Sequence, residues 1–232
     1  MARTRAALCL LALVSLAAAA EEAPKPTLVK MTASDGKAIT AWQWGEGETA
    51  LLLLHGRAYG TGGESFAREC AYFATRGFRC LALNFRGYPS DSPPDLPGKE
   101  KDLMAAFGHL AEAGAKRIFV LGSSMGGFAA LSALKELADQ PQFAGLIILS
   151  AFDKSACDEA ACPKLFFFAE DDAKLFAPMQ MMAYKAAAPK QTIVFKTSGH
   201  GQQLLKTHGQ EMVDLIFLFT REPKAPPAPA TK

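Results

Sequence analysis

The sequence predicts an α/β fold: a mostly parallel sheet with an antiparallel hairpin at its N-terminal edge and helices on both faces. Three observations carry this. Continuous apolar runs such as "TALLLLH" at 49–55 are too uniformly hydrophobic for a sheet with one wet face. These runs alternate with amphipathic stretches of helical length, and strand–helix alternation implies parallel neighbours with helices covering both faces. Finally, 232 residues, half of them hydrophobic and 21% charged, suit one domain with a sizeable core.

Each element follows in order. "TLVKMTA" and "AITAWQW" flank "SDGK", whose Asp-Gly favours a tight hairpin turn. "TALLLLH" is a strand buried on both faces, and a glycine-rich loop leads from it into a helix near residues 63–76. "RCLALNF" is the next strand. The following "RGYPSDSPPDLPG" is too rich in proline to be anything but loop. A helix at 99–113, the strand "KRIFVLG" and a single helix "MGGFAALSALKELAD" come next. "FAGLIILS", "KLFFFAE" and "QTIVFKT" are three more strands, the last two separated by a helix near 175–187. "QQLLKTHGQEMVDLIFLFT" closes the domain as one long amphipathic helix.

The ends read differently. Arg3 and Arg5, the apolar Ala6–Ala17 and the small Ala18-Ala19-Ala20 have the layout of a secretory signal over residues 1–20, too short for a membrane span. The single domain then covers 21–221, and "REPKAPPAPATK" ends in an extended tail at 222–232. The expected location is outside the cytoplasm, periplasmic or secreted, with no stable membrane anchor. Without the leader, 23 basic residues face 23 acidic ones. A neutral chain with no basic stripe gives no support to nucleic-acid binding. Export permits disulfides, and the local pairs Cys70–Cys80 and Cys157–Cys162 are the expected ones. The pattern offers no zinc ligand set, and nothing suggests a nucleotide or other cofactor.

The chemistry is concentrated in Gly122-Ser123-Ser124-Met125-Gly126, a G-x-S-x-G motif between an apolar strand and a helix. A strand turning directly into a helix strains the apex residue and lifts its side chain above the sheet, while the positions two before and two after crowd together. Glycines stand at those positions around Ser124; around Ser123 they would be Leu121 and Met125. Ser124 is therefore the candidate nucleophile and Ser123 a supporting neighbour.

A serine hydroxyl needs a histidine to take its proton, and that histidine a carboxylate to hold its tautomer. His109 and His208 lie within expected helices, and His55 ends the first buried strand. His200, in "TSGHGQQ", occupies a loop after the last strand where flanking glycines let the ring swing toward Ser124. It is the expected base. The loop after "KLFFFA" offers Glu170, Asp171 and Asp172 as the acid, and Asp153 after "LIILSAF" is a further candidate.

The chain order Ser124…Asp172…His200, each after its own strand, resembles the α/β-hydrolase superfamily over about residues 27–220. The resemblance favours Asp172 over Asp171, because the family's acid often falls three residues after a small strand-ending residue, here Ala169. It also implies an oxyanion hole built from the backbone N–H groups of Arg57, in "LLLLHGRAYG", and Met125. The chain departs from the family's D-x-R-G-x-G-x-S at "NFRGYPSDS", where Asn84 and Pro89 replace Asp and Gly; Arg86-Gly87 is read as structural.

In larger relatives a lid follows the strand equivalent to "FAGLIILS". Here about fourteen residues separate Ser150 from the next strand, so no lid domain fits and small or exposed acyl groups are the expected substrates. The resulting expectation is an exported serine hydrolase cleaving carboxylic esters, with thioesters and amides open to the same triad. The competing reading is a non-catalytic binding protein on the same fold.

Overall fold

In a computed structural model the described residues are 23–57, 62–90, 96–173 and 175–221. The leader at 1–20 and the tail at 222–232 lie outside them. Eight strands form one sheet: β1 (Thr27–Thr32), β2 (Ala38–Trp44), β3 (Thr49–Leu54), β4 (Phe78–Asn84), β5 (Arg117–Ser123), β6 (Phe143–Leu149), β7 (Lys164–Ala169) and β8 (Lys190–Phe195). Their order is β1-β2-β4-β3-β5-β6-β7-β8. β1 pairs antiparallel with β2, and β2 with β4; from β4 to β8 every pairing is parallel. In the opening hairpin Gly36 takes φ 81°, which the Asp-Gly pair anticipates.

Side chains on a strand alternate between faces, and β3 shows how the fold uses this. Leu52 and Leu54 enter the core beneath α2 (Lys99–Glu112), α3 (Met125–Ser132) and α5 (Phe176–Lys185), beside Leu103, Leu131 and Met179. Leu51 and Leu53 enter the opposite core with Phe66 and Phe73, covered by α1 (Ala67–Ala74) and the C-terminal helix, whose Met212 and Ile216 face inward. A run of four leucines therefore feeds both cores, which is why residues 50–54 carry no polar side chain.

Three expectations need correction. The stretch 125–139 is two helices, α3 and α4 (Leu134–Ala138), because Ala133 between them relaxes to φ −90°, ψ 0°. The closing segment likewise splits into α6 (Gln203–Thr207) and α7 (Gly209–Arg221). His208 leaves helical geometry at φ −119°, ψ 24°, and glycine follows, a poor helix former that lets the Arg68 guanidinium lie against the backbone. The disulfides Cys70–Cys80 and Cys157–Cys162 are not formed; all four cysteines are free thiols. Cys70 on α1 and Cys80 on β4 meet by hydrogen bonding inside an apolar core, where burial holds the Cys70 thiol far above its usual range. Burial pushes Cys157 up to about 12. Groups so reluctant to form thiolate pack as small hydrophobes.

Residues 151–163, between β6 and β7, form a loop that contains no helix.

Candidate active site

Ser124 sits between β5 and α3 with φ 47° and ψ −111°, a conformation sparsely populated for any residue with a side chain. The elbow is held by main-chain hydrogen bonds to two other strands. The Ser124 N–H donates to the Leu149 carbonyl at 2.8 Å, and the Gly126 N–H to the His55 carbonyl at 3.1 Å. A Cβ on Gly122 would lie 2.6 Å from the Gly126 carbonyl oxygen, and one on Gly126 would strike the Leu54 backbone. The two motif glycines thus have different duties: Gly122 clears the turn itself, and Gly126 lets the turn press onto β3.

His200 follows β8 in a loop bounded by Gly199 (φ 145°) and Gly201 (φ 55°). Its Nε2 lies 2.6 Å from Ser124 Oγ, and its Nδ1 lies 2.8 Å from Asp172 Oδ2. A carboxylate only accepts, so Nδ1 carries the proton and Nε2 is left to accept from the serine hydroxyl. Asp172 is itself fixed, since its carbonyl accepts the N–H groups of Leu175 and Phe176 at 2.9 and 2.8 Å. Glycine at 201 is obligatory, because a Cβ there would stand 2.5 Å from Ser123 Oγ.

The other candidates fall elsewhere. Glu170 and Asp171 point to solvent. Asp153 caps its own turn, accepting from the N–H groups of Ser155 and Ala156. His55 is 1% exposed; its Nδ1 faces the Gly56 carbonyl at 2.8 Å and its Nε2 accepts the Phe85 N–H at 3.3 Å. Both nitrogens are occupied as in a neutral ring, and burial pulls its pKa down. His208 stacks on Phe195 with ring centroids 4.1 Å apart. His109 stays within α2. Among the described residues no three His, Cys, Asp or Glu side chains converge as metal ligands.

Met125 opens α3, and among the described residues no acceptor meets its backbone N–H. Arg57 follows Gly56, whose Cα lies close enough to the elbow that a Cβ on it would be 3.4 Å from Ser124 Cβ. One residue escaped the sequence reading. Gln202 accepts the Gly56 N–H on Oε1 at 2.8 Å and donates from Nε2 to Ser65 Oγ at 2.8 Å. It ties the loop carrying His200 to the loop carrying Arg57, and nothing in its sequence context marks it.

Ser124 lies between two cavities. One, of about 350 Å³, is lined by His200, Gly201, Gln202, Glu69 and Ser123. The other, of about 500 Å³, is lined by Met125, Phe128, Ala129 and Leu96. Arg57 borders both.

Comparison with known proteins identifies the family. The alpha/beta hydrolase family model matches residues 51–214. A stretch of 95 residues is 37% identical to the acylamino-acid-releasing enzyme of Arabidopsis thaliana, covering 36% of this chain and 12% of that protein. A stretch of 141 residues is 28% identical to a 2-hydroxy-6-oxononadienedioate/2-hydroxy-6-oxononatrienedioate hydrolase of Paraburkholderia xenovorans, covering 59% and 48%. The matches thus span half or less of these relatives' lengths. Among solved structures, an esterase of Pyrococcus furiosus superposes with TM-score 0.69 at 16% identity, covering 84% of this chain and 91% of that one. The acylaminoacyl peptidase of Pyrococcus horikoshii gives 0.68 at 14% identity, covering 91% and 43%. With the family matched from β3 into α7, over the elbow and both loops that approach it, this chain belongs to the alpha/beta hydrolase family.

Proposed function

We propose that this protein is an exported serine hydrolase that cleaves small carboxylic esters through an acyl-enzyme on Ser124. The observation that carries the reading is the unbroken hydrogen-bonded line Asp172–His200–Ser124, ending beside the unpaired N–H of Met125. As Ser124 Oγ attacks the ester carbonyl carbon, its proton passes to His200 Nε2, and Asp172 stabilises the imidazolium. The carbonyl oxygen becomes an oxyanion, received by the N–H groups of Met125 and Arg57; one such donor is worth about 2.7–4 kcal/mol in the transition state. Collapse breaks the ester C–O bond, and the departing alkoxide takes the proton from His200 Nε2. Water then attacks the acyl-enzyme with His200 as base again, releasing the acid and restoring Ser124. The esterases among the fold's neighbours support esters as the first class to try, and the absence of an inserted lid after β6 supports small ones. The leader pattern of residues 1–20 supports export.

The test is labelling of the purified protein with a fluorophosphonate, followed by peptide mass mapping, beside Ser124→Ala. Stoichiometric label on Ser124, absent from the variant, is the expected result. A folded protein that takes no label sinks the proposal and leaves the elbow as architecture.

A further inference from the structure

We infer that the cavity on the His200 side of Ser124 receives the leaving alcohol, and that Glu69 at its wall selects alcohols carrying an ammonium group. This rests on the ester-hydrolase reading above. The leaving oxygen must take its proton from His200 Nε2, so it departs toward the cavity that His200 lines. The second cavity has no wall from His200; Met125, Phe128 and Ala129 give it an apolar side suited to an acyl chain.

Glu69 belongs to the buried stripe of α1, three residues after Phe66 and four before Phe73. A charged residue there is out of place unless it meets a partner. It is 7% exposed yet lines the cavity. Among the described residues its carboxyl has no donor but its own backbone N–H, and burial raises its proton affinity, offset weakly by Arg68. Ser123 also lines this cavity; its hydroxyl is fully buried and has no hydrogen-bond partner among the described residues. A buried carboxylate at the wall of a cavity forms a site for a group that is positive and donates hydrogen bonds. A primary ammonium does both.

The cavity also has cations in its lining, Arg57 and Lys206, but both are exposed to solvent. An interaction at a partly buried site is roughly fourfold stronger than the same pair in bulk water, so the sign of the buried group prevails over that of the two solvated ones.

The experiment compares 4-aminobutyl acetate with pentyl acetate, matched in length and differing in charge, on the wild type and Glu69→Gln. Expected for the wild type at pH 8 is about a tenfold higher kcat/KM for the ammonium ester, the size of one hydrogen bond to a charged group. Glu69→Gln should bring that ratio close to one, and a circular-dichroism melt shows that the variant folds. The same pair is titrated onto Ser124→Ala by ligand-observed NMR, which reads the cavity even if neither ester is turned over. Equal use and equal binding of the two esters, or a preference that survives Glu69→Gln, overturns the inference. Pentyl acetate turnover with no ammonium preference overturns it and leaves the ester-hydrolase reading standing; no turnover of either ester overturns that reading and with it the leaving-alcohol role, and ammonium-selective binding that Glu69→Gln abolishes would then leave only the ammonium site at Glu69.

Discussion

Two clusters of hydrogen-bonded charges sit at the carboxyl ends of strands, and they differ in how completely they are satisfied. Arg86, just beyond β4, is 6% exposed, and Asp102 beneath it is fully buried. Every guanidinium N–H has an acceptor: Nε and Nη2 on Asp102, Nη1 and Nη2 on Asp35, and Nη1 on the Pro97 carbonyl. The Arg86 backbone N–H adds a further bond to Asp102. Its pKa is held above the usual arginine range, first by Asp102 and then by Asp35. In the Ser124 cluster, by contrast, the His200 side chain is 40% exposed and the Met125 N–H has no acceptor among the described residues. Saturated charges fix a fold; charges left with spare capacity, open to a cavity, are available for reaction.

That contrast can be broken from either side. Asp172→Asn should lower kcat by about 10⁴-fold, since the amide cannot hold His200 with its proton on Nδ1. The urea midpoint should move little, and Asp171→Asn should leave the rate within a few-fold. Steady-state kinetics on an ester checks both, and a larger loss for Asp171→Asn than for Asp172→Asn would move the acid to Asp171. Arg86→Met should do the opposite and cost about 3–5 kcal/mol of folding stability in urea titration, because it strands Asp102 as a buried charge. A loss below about 1 kcal/mol would show the network to be ornamental. The smallest effect belongs to Asp35, whose pKa the Arg86 hydrogen bond lowers from 3.8 to about 2. A carboxylate with a depressed folded pKa stabilises the fold above its unfolded value and loses that contribution as pH falls through the folded one. The gap in melting temperature between wild type and Asp35→Asn should be full above about pH 4 and close as pH falls toward 2. A gap that persists at lower pH would assign it to packing instead.

Much of this was legible in the residues. Strands β3 to β7 follow from apolar runs, since a strand buried on both faces admits little else. Glycine spacing singles out Ser124 and His200 because it reports backbone crowding, and in the structure His200 lies between Ser124 and Asp172. Other features depend on tertiary contacts. Gln202 joins Gly56 across 146 residues, and no local pattern encodes such a span. The break at His208 and Gly209 is masked by the good amphipathic period on either side of it. Paired thiols and disulfides have the same sequence signature, so the state of Cys70 and Cys80 could not be read from spacing. Glu69 was the missed opportunity, a lone acid on an otherwise apolar helical stripe.

The mooring of the elbow has a practical consequence. Ser124 is located by the carbonyls of Leu149 and His55, which is to say by the backbones of neighbouring strands rather than by any side chain. The cavity walls, by contrast, are side chains of α1, α3 and the loops. The cavity walls and the position of Ser124 can therefore be varied independently. Libraries at Glu69, Phe128 or Leu96 would reshape the cavities without displacing Ser124 Oγ, whereas variation at Gly122, Gly126 or Gly201 would sample mostly broken turns.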